Sequence, residues 1–261
     1  MRSFGILGCG KMGGAILNGV CSLFEKEDIL ICEKSEAAAS NLKARGYDVT
    51  DDPTRLVKEC KTVLLSVKPQ DLTEAVKNIK GSDALFLSIA AGQSIESLEE
   101  RLGKMPIVRA MPNTAATLGL AATCITPNDR CSEEQIEIAE RIFQTVGTVV
   151  RIEEKDMDAI IALSGSFIAF AYYYAQGFVK QAIKDGIDEK VATALLAQTY
   201  VGAGKMMMEG RPIEELISDV CSKGGTTLAG LDELKKGDLH SLCEKCSTAC
   251  TQRSRELGGK K

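Results

Sequence analysis

No stretch of this chain carries an excess of positive charge, none is apolar for long enough to cross a bilayer, and histidine occurs once, at position 240. Each absence removes a class of function. A net charge of -4 over 261 residues offers no electrostatic footprint for nucleic acid, and no basic run is long enough to hold an anionic membrane surface. Without a spanning segment or a signal-peptide cleavage pattern, the expectation is a soluble, cytoplasmic protein with no nucleic-acid or membrane partner. With His240 alone, no histidine-paired nucleophile is available elsewhere in the chain. Internal repeats and low-complexity tracts are also missing, and only the last few residues, 258–261, are expected to lack order. What remains is a globular chain, 44% hydrophobic and 26% charged, long enough to bury a core in two domains.

Ten cysteines are present, most of them inside periodic elements, which speaks against a disulfide scaffold. His240, Cys243, Cys246 and Cys250 are spaced by three, three and four, near one helical face. One straight helix cannot wrap four ligands tetrahedrally around zinc. A small-residue packing face is therefore preferred to a metal site, and no metal is expected.

The chain has two grammars. Residues 3–7 form a short apolar strand running into Gly8-Cys9-Gly10-Lys11-Met12-Gly13, followed by a helix-like stretch; residues 29–32 form a second buried strand, and Ser35 can cap the next helix. Further strands are predicted at 62–67, 84–89 and 107–110, separated by helices at 72–79 and 95–102. A late pair of strands near 120–125 and 148–152 brackets a helix at 133–144. This alternation predicts an α/β, doubly wound parallel sheet over residues 1–153. From 154 to 261 the pattern turns to long Ala-, Leu- and Met-rich helices, over 157–182, 189–209 and 232–256, predicting an all-α domain. Its apolar positions, among them Phe167, Tyr172, Tyr173, Leu195, Met207 and Met208, exceed what one small bundle can cover, and so predict a subunit interface.

In the glycine loop, Gly8 permits the tight turn after the strand, Gly10 lets the backbone approach a pyrophosphate, and Gly13 lets the helix pack closely on the sheet. Its place at the first strand-helix junction of an alternating domain predicts dinucleotide binding. At the end of the second strand, Glu33 suits the ribose hydroxyls of NADH, whereas Lys34 and Ser35 suit the 2′-phosphate of NADPH. The expectation is NADPH with NADH usable. Three more strand ends fall where open α/β sheets place ligands: Val67-Lys68-Pro69-Gln70, Ala90-Ala91-Gly92, and the run from Arg109 to Thr114, with Arg109 and Asn113 as orienting groups. Lys68 is expected near the cofactor ribose. A separate signal lies at Ser222-Lys223-Gly224-Gly225-Thr226-Thr227, where two glycines and two threonines precede a helical run and leave backbone N–H groups uncovered at a positive helix end.

Taken in order, Gly8-Cys-Gly-Lys-Met-Gly, Val67-Lys-Pro-Gln, Arg109-Ala-Met-Pro-Asn-Thr, Ala162-Leu-Ser-Gly-Ser, Ser222-Lys-Gly-Gly-Thr-Thr-Leu-Ala-Gly-Leu and the closing Arg253-Ser-Arg-Glu-Leu resemble the pyrroline-5-carboxylate reductase family over nearly the whole chain. The resemblance implies a Rossmann domain followed by a helical dimerisation domain. It implies NAD(P)H-dependent reduction of 1-pyrroline-5-carboxylate, a cyclic imine carboxylate, to L-proline, by a homodimer often assembled into larger rings. The active site of such enzymes lies between the cofactor domain of one subunit and helices that include the partner's. Implied cofactor residues are Gly8, Gly10, Lys11, Met12, Gly13, Glu33, Lys34, Ser35, Val67, Lys68, Pro69, Ala90, Ala91 and Asn113. Implied substrate residues are Ser164, Ser166, Gly225, Thr226 and Thr227.

The chemistry fits these residue types. Backbone N–H groups of Gly225 and Thr226 would hold the carboxylate, and Thr227, the expected catalytic residue, would hydrogen-bond the ring nitrogen while water or a pre-protonated iminium supplies the proton. The chain departs from the family pattern at three places. Phe167-Ile168 stands where a glycine and a proline are usual, which reshapes the pocket and removes a helix kink. Lys223 replaces a proline, and Asp52-Pro53 occupies the region where an asparagine often meets the cofactor. These departures keep open a related cyclic imine as substrate, or a nucleotide-binding relative without turnover.

Overall fold

Period-two alternation sorts the strand side chains onto two faces, and both faces are covered. In the computed structural model, which describes residues 1–79 and 81–258, Phe4 and Ile6 of β1 (Arg2–Leu7) enter one apolar cluster while Leu7 enters the other. In β2 (Ile29–Cys32), Ile29 and Ile31 face one way, Leu30 and Cys32 the other. Strands buried on both sides read as continuous apolar runs, which is why they stood out in the sequence.

The described residues continue through α1 (Lys11–Val20), α2 (Glu36–Ala44), β3 (Asp48–Thr50), α3 (Pro53–Glu59), β4 (Cys60–Leu65), α4 (Pro69–Val76), β5 (Leu85–Ser88), α5 (Ile95–Leu102), β6 (Ile107–Met111), β7 (Ala121–Pro127), α6 (Glu133–Gln144) and β8 (Gly147–Arg151). The eight strands lie in the order β3-β2-β1-β4-β5-β6-β7-β8. Every pairing is parallel except β6 with β7. The sheet is the expected doubly wound one, with its single antiparallel pair at that junction. Between β6 and β7 the chain holds only a 3-10 turn, Thr114–Leu118, and a parallel return needs a longer crossover. The strand order reverses between β1 and β4, creating a crevice at their carboxyl ends. β3 and α3 were not expected, because Asp48-Val49-Thr50 contains a single apolar residue. Asp52 caps α3 by accepting from Thr54 N–H at 2.8 Å, with Pro53 at the first helical position.

Next come α7 (Phe167–Lys184), α8 (Glu189–Met208), α9 (Ile213–Asp219), α10 (Thr226–Lys236) and α11 (Leu239–Leu257). The expected helix over 157–182 begins only at Phe167; before it run two 3-10 turns, Glu154–Asp156 and Ile160–Ala162. Asn113 Nδ2 donates to the Ser164 carbonyl at 3.1 Å, taking an acceptor that a continuous helix would use. The helix expected over 232–256 is two helices, broken at Gly237 and Asp238, with Asp238 at a positive φ of 50°.

By contacts the chain forms two units, Met1–Gly165 together with the chain from Cys250 on, and Ser166–Ala249. The first holds the sheet and both apolar clusters. In the second, α7, α8, α9 and α10 carry no buried residue. Tyr200 of α8 donates its hydroxyl hydrogen to the Ala171 carbonyl of α7 at 3.2 Å. Tyr172, Leu195, Met207 and Met208 stand exposed, and Tyr173 is 81% exposed. Of the segment expected to lack order, residues 259–261 lie outside the described residues.

Candidate active site

The crevice between β1 and β4 is built by three glycines with three different jobs. Gly8 sits at φ +84° and donates its N–H to Cys32 O at 2.9 Å; a Cβ there would lie 2.7 Å from Val67 Cγ1. Gly13 packs α1 against the sheet so closely that a Cβ would lie 2.7 Å from both Gly8 O and Ser66 Oγ. Gly10 is different, since a Cβ there would meet nothing within 4 Å. It caps α1 with no side-chain bond, and α1 has no acidic residue in its first turn. The first N–H groups of α1 are thus left to an anion that approaches the bare backbone, and the loop fits a pyrophosphate.

From Gly10 a cavity of about 460 Å³ runs along the carboxyl ends of β4, β5 and β6. Among the residues expected to touch a cofactor, Gly10, Lys11, Met12, Val67, Lys68, Pro69, Ala90 and Ala91 line it. Gly8 and Gly13 shape its rim from behind. Arg109, named from sequence as an orienting group, also lines it, as does Gly92 of the expected Ala90-Ala91-Gly92 strand end, together with Ser66, Ile161 and Ser254, which sequence reasoning missed. Asn113 lies outside the lining. Its Oδ1 accepts from Ala115 N–H at 3.1 Å to cap the 3-10 turn, and its amide nitrogen holds Ser164, so it braces the neighbouring loop.

Glu33, Lys34 and Ser35 stand at the end of β2, on the opposite side of the crevice from β5 and β6. The Glu33 carboxylate is anchored, accepting from Cys9 N–H and Ser35 N–H, each at 2.9 Å. Lys34 is exposed, and Ser35 Oγ accepts from Ala38 N–H at 3.4 Å to cap α2. Burial, reinforced by the Glu33 charge, pushes the Cys9 thiol up to about 11, so it stays neutral beside the loop.

Arg109 is a buried cation, its side chain 7% exposed. Nη1 donates to Glu154 Oε1 at 3.2 Å, and Nη2 stands 3.8 Å from Asp158 Oδ1. Glu154 Oε1 also accepts from Ile95 N–H, at the start of α5, at 2.6 Å. Ser254 Oγ donates to Asp158 Oδ1 at 2.7 Å. The charges are paired, as a buried guanidinium requires.

In the helical unit, Ser222-Lys223-Gly224-Gly225 forms a turn closed by Gly225 N–H donating to Ser222 O at 2.9 Å, with Gly224 at φ +73°. A Cβ on Gly225 would collide with Ser222 Oγ. The N–H of Gly225, expected to meet a carboxylate, is used by this turn. The donors left at the start of α10 are those of Thr226, Thr227 and Leu228, which have no acceptor within their helix, and Gly225 gives no side-chain cap. Thr226 and Thr227 are exposed. Ser164 is buried in the first unit, its hydroxyl 3.4 Å from Ile160 O, and Ser166 precedes α7 without capping it. Phe167 is half exposed. Among the described residues no group of three His, Cys, Asp or Glu side chains is placed to hold a metal ion; Cys243 and Cys246 lie exposed along α11. No helix of the described residues is long and apolar enough to cross a membrane.

Two family models match parts of the chain. Residues 154–257 match the family model described as pyrroline-5-carboxylate reductase dimerisation, and residues 3–92 match one described as NADP oxidoreductase, coenzyme F420-dependent. The chain is 36% identical to a pyrroline-5-carboxylate reductase of Methanosarcina acetivorans, with 99% of each chain covered. It is 34% identical to one of Arabidopsis thaliana, covering 97% of this chain and 94% of that one. A solved pyrroline-5-carboxylate reductase of Coxiella burnetii superposes with a TM-score of 0.92 at 29% identity, over 100% of this chain and 99% of that one. A Plasmodium falciparum pyrroline carboxylate reductase solved with NADP bound gives 0.87 at 26% identity, with 98% of each covered.

Proposed function

Because this chain belongs to the pyrroline-5-carboxylate reductase family, we propose that it reduces 1-pyrroline-5-carboxylate to L-proline with a reduced nicotinamide dinucleotide. The observation that carries this is the bare Gly10 backbone at the head of α1, opening into a cavity walled by Lys68, Ala90 and Ala91. The pyrophosphate is held by the α1 N-terminus, and the nicotinamide half by the ends of β4 to β6. When bound, the reduced nicotinamide supplies the hydride that the imine carbon takes.

The residues of the chain do the rest. N–H groups at the head of α10, those of Thr226 and Thr227, hold the substrate carboxylate on the positive end of the helix. Thr227 Oγ hydrogen-bonds the ring nitrogen and orients the C=N bond. The nitrogen takes its proton from water, or enters already protonated as the iminium, because a threonine hydroxyl is too weak an acid to give one up. Charge balances, since hydride and proton together saturate one C=N bond.

NADPH is the preferred cofactor and NADH is usable. Exposed Lys34 and the Ser35 hydroxyl at the head of α2 suit a 2′-phosphate, while the anchored Glu33 carboxylate opposes it, so the preference is small. The enzyme is a homodimer, because α7 and α8 bury no side chain of their own and would otherwise leave Tyr172, Tyr173, Leu195 and Met208 in water. The test is to mix the protein with pyrroline-5-carboxylate and follow NADPH and NADH oxidation separately. Turnover is expected with both, faster with NADPH; cofactor binding without turnover overturns the proposal.

A further inference from the structure

We infer that Ser254, in the last turn and a half of α11, is a positioning residue of the cavity, acting through Asp158 and Arg109 on the half of the crevice that receives the nicotinamide. The inference rests on the dinucleotide reading of the crevice proposed above. Four segments distant in sequence meet here. The head of α5 is tied to Glu154 through Ile95 N–H, Glu154 to Arg109 in the middle of β6, Arg109 to Asp158, and Asp158 to Ser254. Two members of the chain, Arg109 and Ser254, line the cavity directly. A second contact of the same helix end reinforces the first. Gly92, at φ +72° in the turn after β5, packs so closely on Leu257 that a Cβ there would lie 3.2 Å from Leu257 Cβ.

The cavity therefore has its far wall held at two points by the end of the chain. Arg109 has five N–H donors in a rigid fork, and its orientation depends on which acceptors face it. Asp158 is itself fixed by the Ser254 hydroxyl, and both side chains are nearly buried. Remove that hydroxyl and the Asp158 carboxylate loses its nearest donor, so Arg109 is free to follow it and the wall beside Ala90 and Gly92 loosens. The effect is confined to one side of the crevice. The adenosine side, at the end of β2 with Glu33, Lys34 and Ser35, shares none of these bonds.

The test is direct binding to the full-length protein without imine substrate, comparing NADPH with ADP, for wild type and Ser254→Ala. Alanine is a good helix former, so the variant keeps α11. The expected result is a rise of about three- to tenfold in the NADPH dissociation constant, the worth of one hydrogen bond, with ADP binding within about twofold of wild type. Asp158→Asn should shift NADPH binding in the same direction. NADPH and ADP weakened equally, or neither weakened, overturns the inference while the dinucleotide reading stands. A wild-type protein that binds ADP and NADPH no better than a buffer blank overturns both.

Discussion

Gly10 and Gly13 are three residues apart at the head of α1, yet the structure assigns them opposite liabilities. A methyl on Gly13 would lie 2.7 Å from the Gly8 carbonyl oxygen and 2.7 Å from Ser66 Oγ. The first is backbone, which cannot swing aside, so α1 must lift from the sheet. Overpacking of this kind costs about 1–3 kcal/mol, or about 2–4 °C of melting temperature per kcal/mol in a domain of this size. A methyl on Gly10 meets no protein atom within 4 Å, and its φ of -72° suits alanine. Losing glycine at a cap costs about 0.5–1 kcal/mol, and the lower entropy of the unfolded alanine chain returns about as much. Gly10→Ala should therefore melt within about 2 °C of wild type yet lose NADPH affinity by about tenfold or more, because its methyl occupies the approach of the pyrophosphate. Gly13→Ala should lose both. Calorimetry for melting and titration of NADPH fluorescence for binding separate the two. Gly10→Ala with unchanged affinity refutes the close approach, and Gly13→Ala with unchanged melting refutes the tight contact.

Other outcomes follow from single observations. Among the described residues, Thr123 Oγ1 is a buried side-chain polar atom without a hydrogen-bond partner, so Thr123→Val should raise stability by about 1 kcal/mol in chemical denaturation, and a loss would show that the hydroxyl is satisfied. Burial pushes the thiols of Cys9, Cys32 and Cys60 up to about 11, from 9.0. The folded state then binds more protons than the unfolded one between those values, so the stability these neutral thiols support is complete below pH 9 and is lost as pH rises towards 11. A denaturation midpoint that climbs with pH over that window contradicts this. Tyr173→Asp puts a charge on the uncovered face of α7 and should turn a dimer into monomer in sedimentation experiments; an unchanged dimer places the interface elsewhere.

How much was legible in the sequence depended on how local the cause was. Phe4, Ile6, Ile29 and Ile31 were visible as core because strand alternation and two-sided burial write themselves into neighbouring residues. The turn at Gly8 and the close packing at Gly13 were legible for the same reason. β3 was invisible because Val49 alone carries its burial. The antiparallel turn of β7 depends on the length of the segment after β6, which hydrophobic pattern does not report. The late start of α7 depends on Asn113 reaching Ser164, 51 positions away. Ser254 and Asp158 are 96 positions apart, and nothing in the spacing of Arg253-Ser254-Arg255 says that its hydroxyl is turned inward. The donors at the head of α10 were foreseen, but not that Gly225 uses its own N–H to close the turn.

On the proposed function, hydride reaches the imine carbon of a carboxylate-bearing ring held at Thr226 and Thr227. The most direct test of this is to incubate the protein with pyrroline-5-carboxylate and NADPH carrying deuterium on the transferable C4 position, then locate the label in the product by mass spectrometry. The expected product is L-proline carrying one deuterium at C5, with the rate cut sharply in Thr227→Ala. Proline without label, or no proline while the protein binds the cofactor, would contradict it.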